Sequence, residues 1–122
     1  MRPKKVVALT GFSEDRTALL RFVLRVHRRE VRVFTRPGDV IERAKRGGVD
    51  LLLSGSDAHV AKVKDACGWL PVILLHGLPS AQTTRADRVF TFSELSMIDM
   101  MEAMRMLLVR KRGPRPSETR AA

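Results

Sequence analysis

The chain contains a single cysteine, no tyrosine, six aromatic residues in all, and 13 acidic against 23 basic side chains. Without a second thiol, Cys67 can form no intramolecular disulfide and no cysteine-based zinc site. It lies in a helix-like stretch just before Gly68, where a small buried hydrophobe is the expected role and no neighbouring base or thiol marks redox chemistry. His27, His59 and His76 are scattered without ligand spacing, so neither a metal nor a cofactor is expected. Long apolar runs are missing as well, since none approaches the roughly 18 residues of a membrane span. Met1-Arg2-Pro3-Lys4-Lys5 leads into only four apolar residues, shorter than a signal-peptide core and without its cleavage site. A cytoplasmic location with no membrane contact is expected.

The shortage of acid leaves a net charge of +10, carried by 17 arginines and 6 lysines. A charge of that size favours nucleic acid or another polyanion as a partner and says nothing about fold. One cluster includes Arg25, Arg28, Arg29, Arg32 and Arg46, and a second is formed by Arg110, Lys111, Arg112, Arg115 and Arg120.

What is present is an alternation of short apolar runs with helix-like stretches. Lys5 to Leu9 is β-branched and ends at Gly11; Ser13 then stands as an N-cap before Glu14 and Asp15. Leu19, Phe22, Val23 and Val26 recur at helical spacing, which predicts the buried stripe of a first helix. Val31 and Val33 flank Arg32 as in an edge strand, and Pro37 opens a second helix that closes at Gly47-Gly48. Val49 to Leu53 and Pro71 to Leu75 lack a polar face, as strands covered on both sides do. Between them Ser56 caps a helix with Val60 and Val63 inward, and a fifth strand is expected at Val89 to Phe92. A last helix starts near Ser93 or Ser96 and runs to about Arg112, before Gly113-Pro114. The expected class is α/β: a three-layer, doubly wound, five-stranded parallel sheet with right-handed crossovers. Residues 1–112 form the domain, and residues 113–122 form a basic tail with nothing to bury, expected to be disordered.

In order and spacing these segments resemble the receiver domain of bacterial response regulators, the flavodoxin-like fold of the chemotaxis regulator. Val49-Asp50-Leu51-Leu52-Leu53, Pro71-Val72-Ile73-Leu74-Leu75 and Ala86-Asp87-Arg88-Val89-Phe90 carry the likeness. The resemblance implies strand order 2-1-3-4-5 and a role in two-component signalling or a phosphorelay. It also implies two acids after the first strand and one after the third, which hold Mg²⁺ while the third-strand aspartate accepts a phosphoryl group. In this chain those positions fall on Thr10, Gly11 and Gly55, or on Ser54 with a one-residue slip. The hydroxyl residue after strand four maps to Leu75 or His76, and the lysine after strand five to Phe92 or Ser93. Mg²⁺ demands oxygen ligands in octahedral geometry, so a pocket without carboxylates implies a degenerate receiver, or pseudo-receiver. Asp57, Glu14 and Asp15 lie near enough in sequence for a displaced site, but each also suits the first turn of a helix.

The connection from Gly77 to Arg88 is shorter than in the family, which implies a shortened or missing fourth helix. The last helix holds Met97, Met100, Met101, Met104 and Met106, with Met97, Met101, Met104 and Leu108 on the stripe expected to face the sheet. Because thioether side chains adapt to varied surfaces, Met100, Met101, Met104, Arg105 and Leu108 are the expected partner-binding residues, for another protein or a second copy. The expected function is therefore a non-enzymatic signalling adaptor that acts by protein–protein contact. Two alternatives remain: a nucleic-acid-binding protein using the basic face, and a phosphorelay receiver with a displaced site.

Overall fold

Every one of the five apolar runs forms a strand. The computed structural model describes residues 5–76, 84–92 and 96–109. In chain order the elements are β1 (Val6–Thr10), α1 (Glu14–Val26), β2 (Glu30–Val33), α2 (Pro37–Lys45), β3 (Leu51–Ser54), α3 (Asp57–Ala66), β4 (Val72–His76), β5 (Arg88–Thr91) and α4 (Met97–Val109). All strand pairs are parallel and the order is β2-β1-β3-β4-β5, as expected. β3 is central, and each of its four residues is buried, which explains its lack of a polar face. The described residues contain four helices. Residues 84–87 of the β4–β5 connection are non-helical, and the rest of the segment expected to have a reduced helix, residues 77–83, lies outside the described residues, as does the tail.

Alternation along the strands divides the core in two. On one face Val7, Leu9, Leu51, Leu53, Ile73 and Leu75 pack beneath α1 and α4. On the other, Ala8, Leu52, Val72 and Leu74 pack beneath α2 and α3. Full burial of a leucine or isoleucine contributes about 1.5–3 kcal/mol, so these two layers carry most of the drive to fold. Cys67 belongs to the second layer and is fully buried. Burial pushes its thiol above the usual range, only partly opposed by Lys45. Cys67 is therefore expected to react with a thiol-specific reagent only after denaturant unfolds the chain; rapid labelling of the native protein would contradict this packing.

Two helices pack at a different rotation from the one their spacing predicts. In α1 the sheet takes Leu20 and Leu24, while Leu19, Phe22 and Val26 are 47%, 68% and 63% exposed. Apolar residues occur on too much of α1 for periodicity to select a face, and the i, i+4 pair Leu20/Leu24 fills the space above β1. In α4 the buried stripe is Met100, Ala103, Met104, Leu107 and Leu108, whereas Met97 and Met101 lie at its border and Met106 is exposed.

Acidic residues near the N-terminal edges of the strands bind main-chain groups. Asp50 Oδ2 accepts the Val6 N–H at 2.8 Å, and Asp87 Oδ2 accepts the Val72 N–H at 2.7 Å. Asp87 also meets the Lys64 ammonium at 3.0 Å, and Lys64 donates to the carbonyls of Leu70 at 2.8 Å and Gly68 at 3.3 Å. One buried lysine thus ties the end of α3 to the start of β5, a link with no signature in the sequence.

Candidate functional site

In an open parallel sheet, ligands bind outside the carboxyl ends of the strands, where the strand order reverses. Here that place lies between the ends of β1 and β3. Their parallel register sets Thr10 beside Ser54, and the Gly55 N–H donates to the Thr10 carbonyl at 3.0 Å. The Thr10 hydroxyl donates to Ser54 Oγ at 3.0 Å. Ser54 Oγ in turn donates to the Ser56 carbonyl at 3.1 Å and accepts the Ser56 N–H at 3.1 Å. Both side chains are buried. With its proton and lone pairs engaged, Ser54 forms part of a neutral hydrogen-bonded chain, and among the described residues no basic side chain hydrogen-bonds to it.

The two glycines that follow are packed tightly against their neighbours. Gly11 has φ +77°, a region that side chains rarely adopt, and a β-carbon there would stand 2.9 Å from Ser56 Cβ. A β-carbon on Gly55 would stand 2.7 Å from the Gly11 carbonyl oxygen and 2.8–2.9 Å from two ring carbons of Phe12. Phe12 meets Phe92 edge-to-face, with ring centroids 6.2 Å apart and planes at 85°. The Arg16 guanidinium from the first turn of α1 lies over Phe92 at 4.1 Å. The two rings and the cation close over the rim at which the resemblance places a phosphoacceptor and a lysine. Sequence reading located Phe92 there but missed Phe12 and Arg16. Their only signal was position, one and five residues after Gly11.

His76 ends β4 beside Thr91 of β5 and is partly buried. His59 donates its N–H to Ser56 Oγ at 3.3 Å, and its buried Nδ1 has no hydrogen-bond partner. Of the acids considered for a displaced site, Asp57 accepts the Thr84 hydroxyl at 2.5 Å, while Glu14 and Asp15 are exposed in the first turn of α1. Among the described residues, no three His, Cys, Asp or Glu side chains are grouped to hold a metal ion. A cleft of about 440 Å³ opens on the β2 side of the rim, lined by Thr10, Phe12, Glu14, Thr17, Arg21 and Phe34 among others.

The expected contact residues do not share one surface. Met100 and Met104 are wholly buried and Leu108 is 9% exposed, because they form the sheet-facing stripe of α4. As surface contacts, these three are corrected to core residues; Met101 is half-buried and Arg105 exposed, paired with Glu102. That pairing lowers the Glu102 carboxyl below its usual range and raises the guanidinium of Arg105 above its own. The accessible part of this face consists of Arg105, Met106 and Val109, which line a cleft of about 500 Å³. The basic residues are also divided. Arg32 pairs with Glu30 at 3.1 Å and Arg29 is partly buried, whereas Arg25, Arg28 and Arg46 are exposed.

No family model and no curated protein matches the sequence. Solved structures do resemble the fold. A signal receiver domain of an HD domain-containing protein from Pseudomonas fluorescens matches with a TM-score of 0.73 at 15% identity, over 87% of this chain and 95% of that one. The beryllofluoride-activated receiver domain of RstA from Klebsiella pneumoniae matches with a TM-score of 0.70 at 18% identity, over 87% and 100%. The response regulator TrrA from Thermotoga maritima, solved with Mg²⁺ and beryllofluoride, matches with a TM-score of 0.71 at 14% identity, over 85% and 99%. No helix among the described residues is long and apolar enough to cross a membrane. Sheet order, parallel pairing and these likenesses together give the chain the fold of a response-regulator receiver domain.

Proposed function

We propose that this chain is a receiver-fold signalling domain, a pseudo-receiver, that takes up no phosphoryl group and acts as an adaptor through protein contact. The packing around Gly55 carries this reading, because the acceptor position has no space for a β-carbon, let alone a carboxylate with Mg²⁺ before it. The changes are mutually consistent. Without acids at positions 10, 11 and 55 there is no anionic charge to bind a dication, and without a phosphoryl group a lysine at position 92 has nothing to contact. Two aromatic rings close the rim instead, and Thr10 and Ser54 satisfy one another.

Contact is placed on the exposed side of α4 beside the start of β5, where Met106 and Val109 lie around Arg105. Isolated apolar residues on a surface are ordinary, but two beside a cleft and one fixed cation form a small docking face. Incubation of the full chain with acetyl phosphate and Mg²⁺ is expected to leave its intact mass unchanged. A stable gain of one phosphoryl group would overturn the reading.

A further inference from the structure

The apolar stripe that the sequence marks most clearly on α1 is not the one that the sheet takes. Leu20 and Leu24 are buried against the sheet. Phe22 is two residues from each, and at 3.6 residues per turn that separation is about 200°, so its ring points away from the sheet. Phe22 is 68% exposed, and Leu19 and Val26, which flank it on the helix surface, are 47% and 63% exposed. α1 is thus apolar on opposite sides, one against the core and one in water, whereas a helix on the surface of a monomeric domain carries polar residues on its outer side.

The outer stripe has a second regularity. Asp15, Leu19, Phe22 and Val26 are separated by four, three and four residues, the interval at which the side chains of one helix insert between those of another. Its ends carry opposite charge. Glu14 and Asp15 stand in the first turn, Arg25 in the last turn and Arg28 just past it. All four are exposed, and none makes an ion pair among the described residues. α4 extends the surface, because it covers the same face of the sheet. Its Ile98, two residues before the buried Met100, is 81% exposed. A cleft of about 340 Å³, lined by His27, Met97, Ile98 and Met101 among others, joins the end of α1 to α4.

We infer that this face is covered by a second copy of the chain, with the two α1 helices packed antiparallel across a two-fold axis. In that arrangement Leu19 of each copy meets Phe22 of the other. Glu14 and Asp15 of each come to Arg25 and Arg28 of the other, so a single pattern of residues is its own complement. The two helix dipoles are opposed as well. An anionic membrane fits the face less well, since Asp15 lies on the stripe, Asp99 follows Ile98 and Glu102 lines the cleft, and all three would meet like charge. A helix of 13 residues alone falls short of the roughly 800 Å² that each partner buries in a standard interface. The flank of α4 therefore contributes, and the dimer is weak and concentration-dependent. This contact goes beyond the adaptor role and does not use Met106, which lines the other cleft of α4.

Sedimentation equilibrium of the full chain from about 5 to 500 µM should show the average mass rising from that of a monomer toward twice that value. Phe22→Ser is expected to remain monomeric throughout and to melt no lower than the parent, because the ring it removes is exposed. Asp15→Arg should weaken the dimer roughly tenfold, since the two-fold axis repeats the mismatch. Arg25→Asp should weaken it as much, and an equimolar mixture of these two variants should recover parental association, because every pair across the axis is again of opposite sign. A parent that stays monomeric at the highest concentration would overturn the inference, as would a Phe22→Ser chain that dimerises like the parent. A dimer lost on Met106→Ser and kept on Phe22→Ser would move the contact to the adaptor face and overturn this one. Binding of the monomer to phosphatidylserine vesicles, abolished by Phe22→Ser, would assign the stripe to a membrane and overturn it too.

Discussion

Gly55→Asp is expected to lower the stability of the domain by about 3 kcal/mol, although it restores the residue that the resemblance places there. The new β-carbon meets the Gly11 carbonyl oxygen at 2.7 Å and the Phe12 ring at 2.8–2.9 Å. Overpacking of this kind costs about 1–3 kcal/mol, and a carboxylate enclosed without a cation adds more. The ring can give way, whereas the carbonyl, held in the turn after β1, cannot. Phe12→Ala should therefore rescue only part of the loss, and a double-mutant cycle should give a favourable coupling of about 1 kcal/mol between the two changes. Urea unfolding of the four chains measures this directly. A Gly55→Asp protein as stable as its parent, or one stabilised by Mg²⁺, would show that the rim can open into an acidic pocket.

Asp87→Ala should be comparably damaging, at about 3 kcal/mol. Its carboxylate has two partners, the Lys64 ammonium at 3.0 Å and the Val72 N–H at 2.7 Å, and the lysine side chain is only 9% exposed. Truncating one partner of a buried pair leaves the other charge desolvated and unmatched, which costs about 3–5 kcal/mol in a dry interior. Because a quarter of the Asp87 side chain is exposed, the lower end applies. Asp87→Asn should cost less, since the amide oxygen can still accept from Val72. Lys64→Met removes the charge and keeps the apolar stem, so it should fall between the parent and Asp87→Ala. If the alanine variant unfolds at the parental denaturant concentration, the pair is a surface contact with no part in joining α3 to β5.

Met104→Glu, by contrast, would test the core and not a docking surface. Met104 is wholly buried among Leu53-side core residues, so a glutamate there would leave a charge without a partner. Met106, two residues on, points outward and is the substitution that probes contact.

Much of the architecture was legible because its signals are local. Ser13 and Ser56 cap α1 and α3 as their positions predict, Pro37 opens α2, and Gly47 closes it. Uniform hydrophobicity in Leu51 to Leu53 and Val72 to Leu75 required cover on both faces, and with helices between the strands only a parallel sheet provides it. The lack of acids at Thr10, Gly11 and Gly55 was legible for the same reason, since residue identity at a strand end needs no coordinates.

What the residues alone determined, then, is the alternation of strands and helices, their ends, and the neutral character of the rim between β1 and β3. Only the tertiary structure decided which side of α1 and α4 faces the sheet, that Phe12, packed on Gly55, meets Phe92, and that Lys64 reaches Asp87. The physical reason is range. Caps and periodicity act within one or two turns, whereas helix rotation and ring contacts depend on which distant side chain fills the remaining space, and that competition is settled only when all layers pack together.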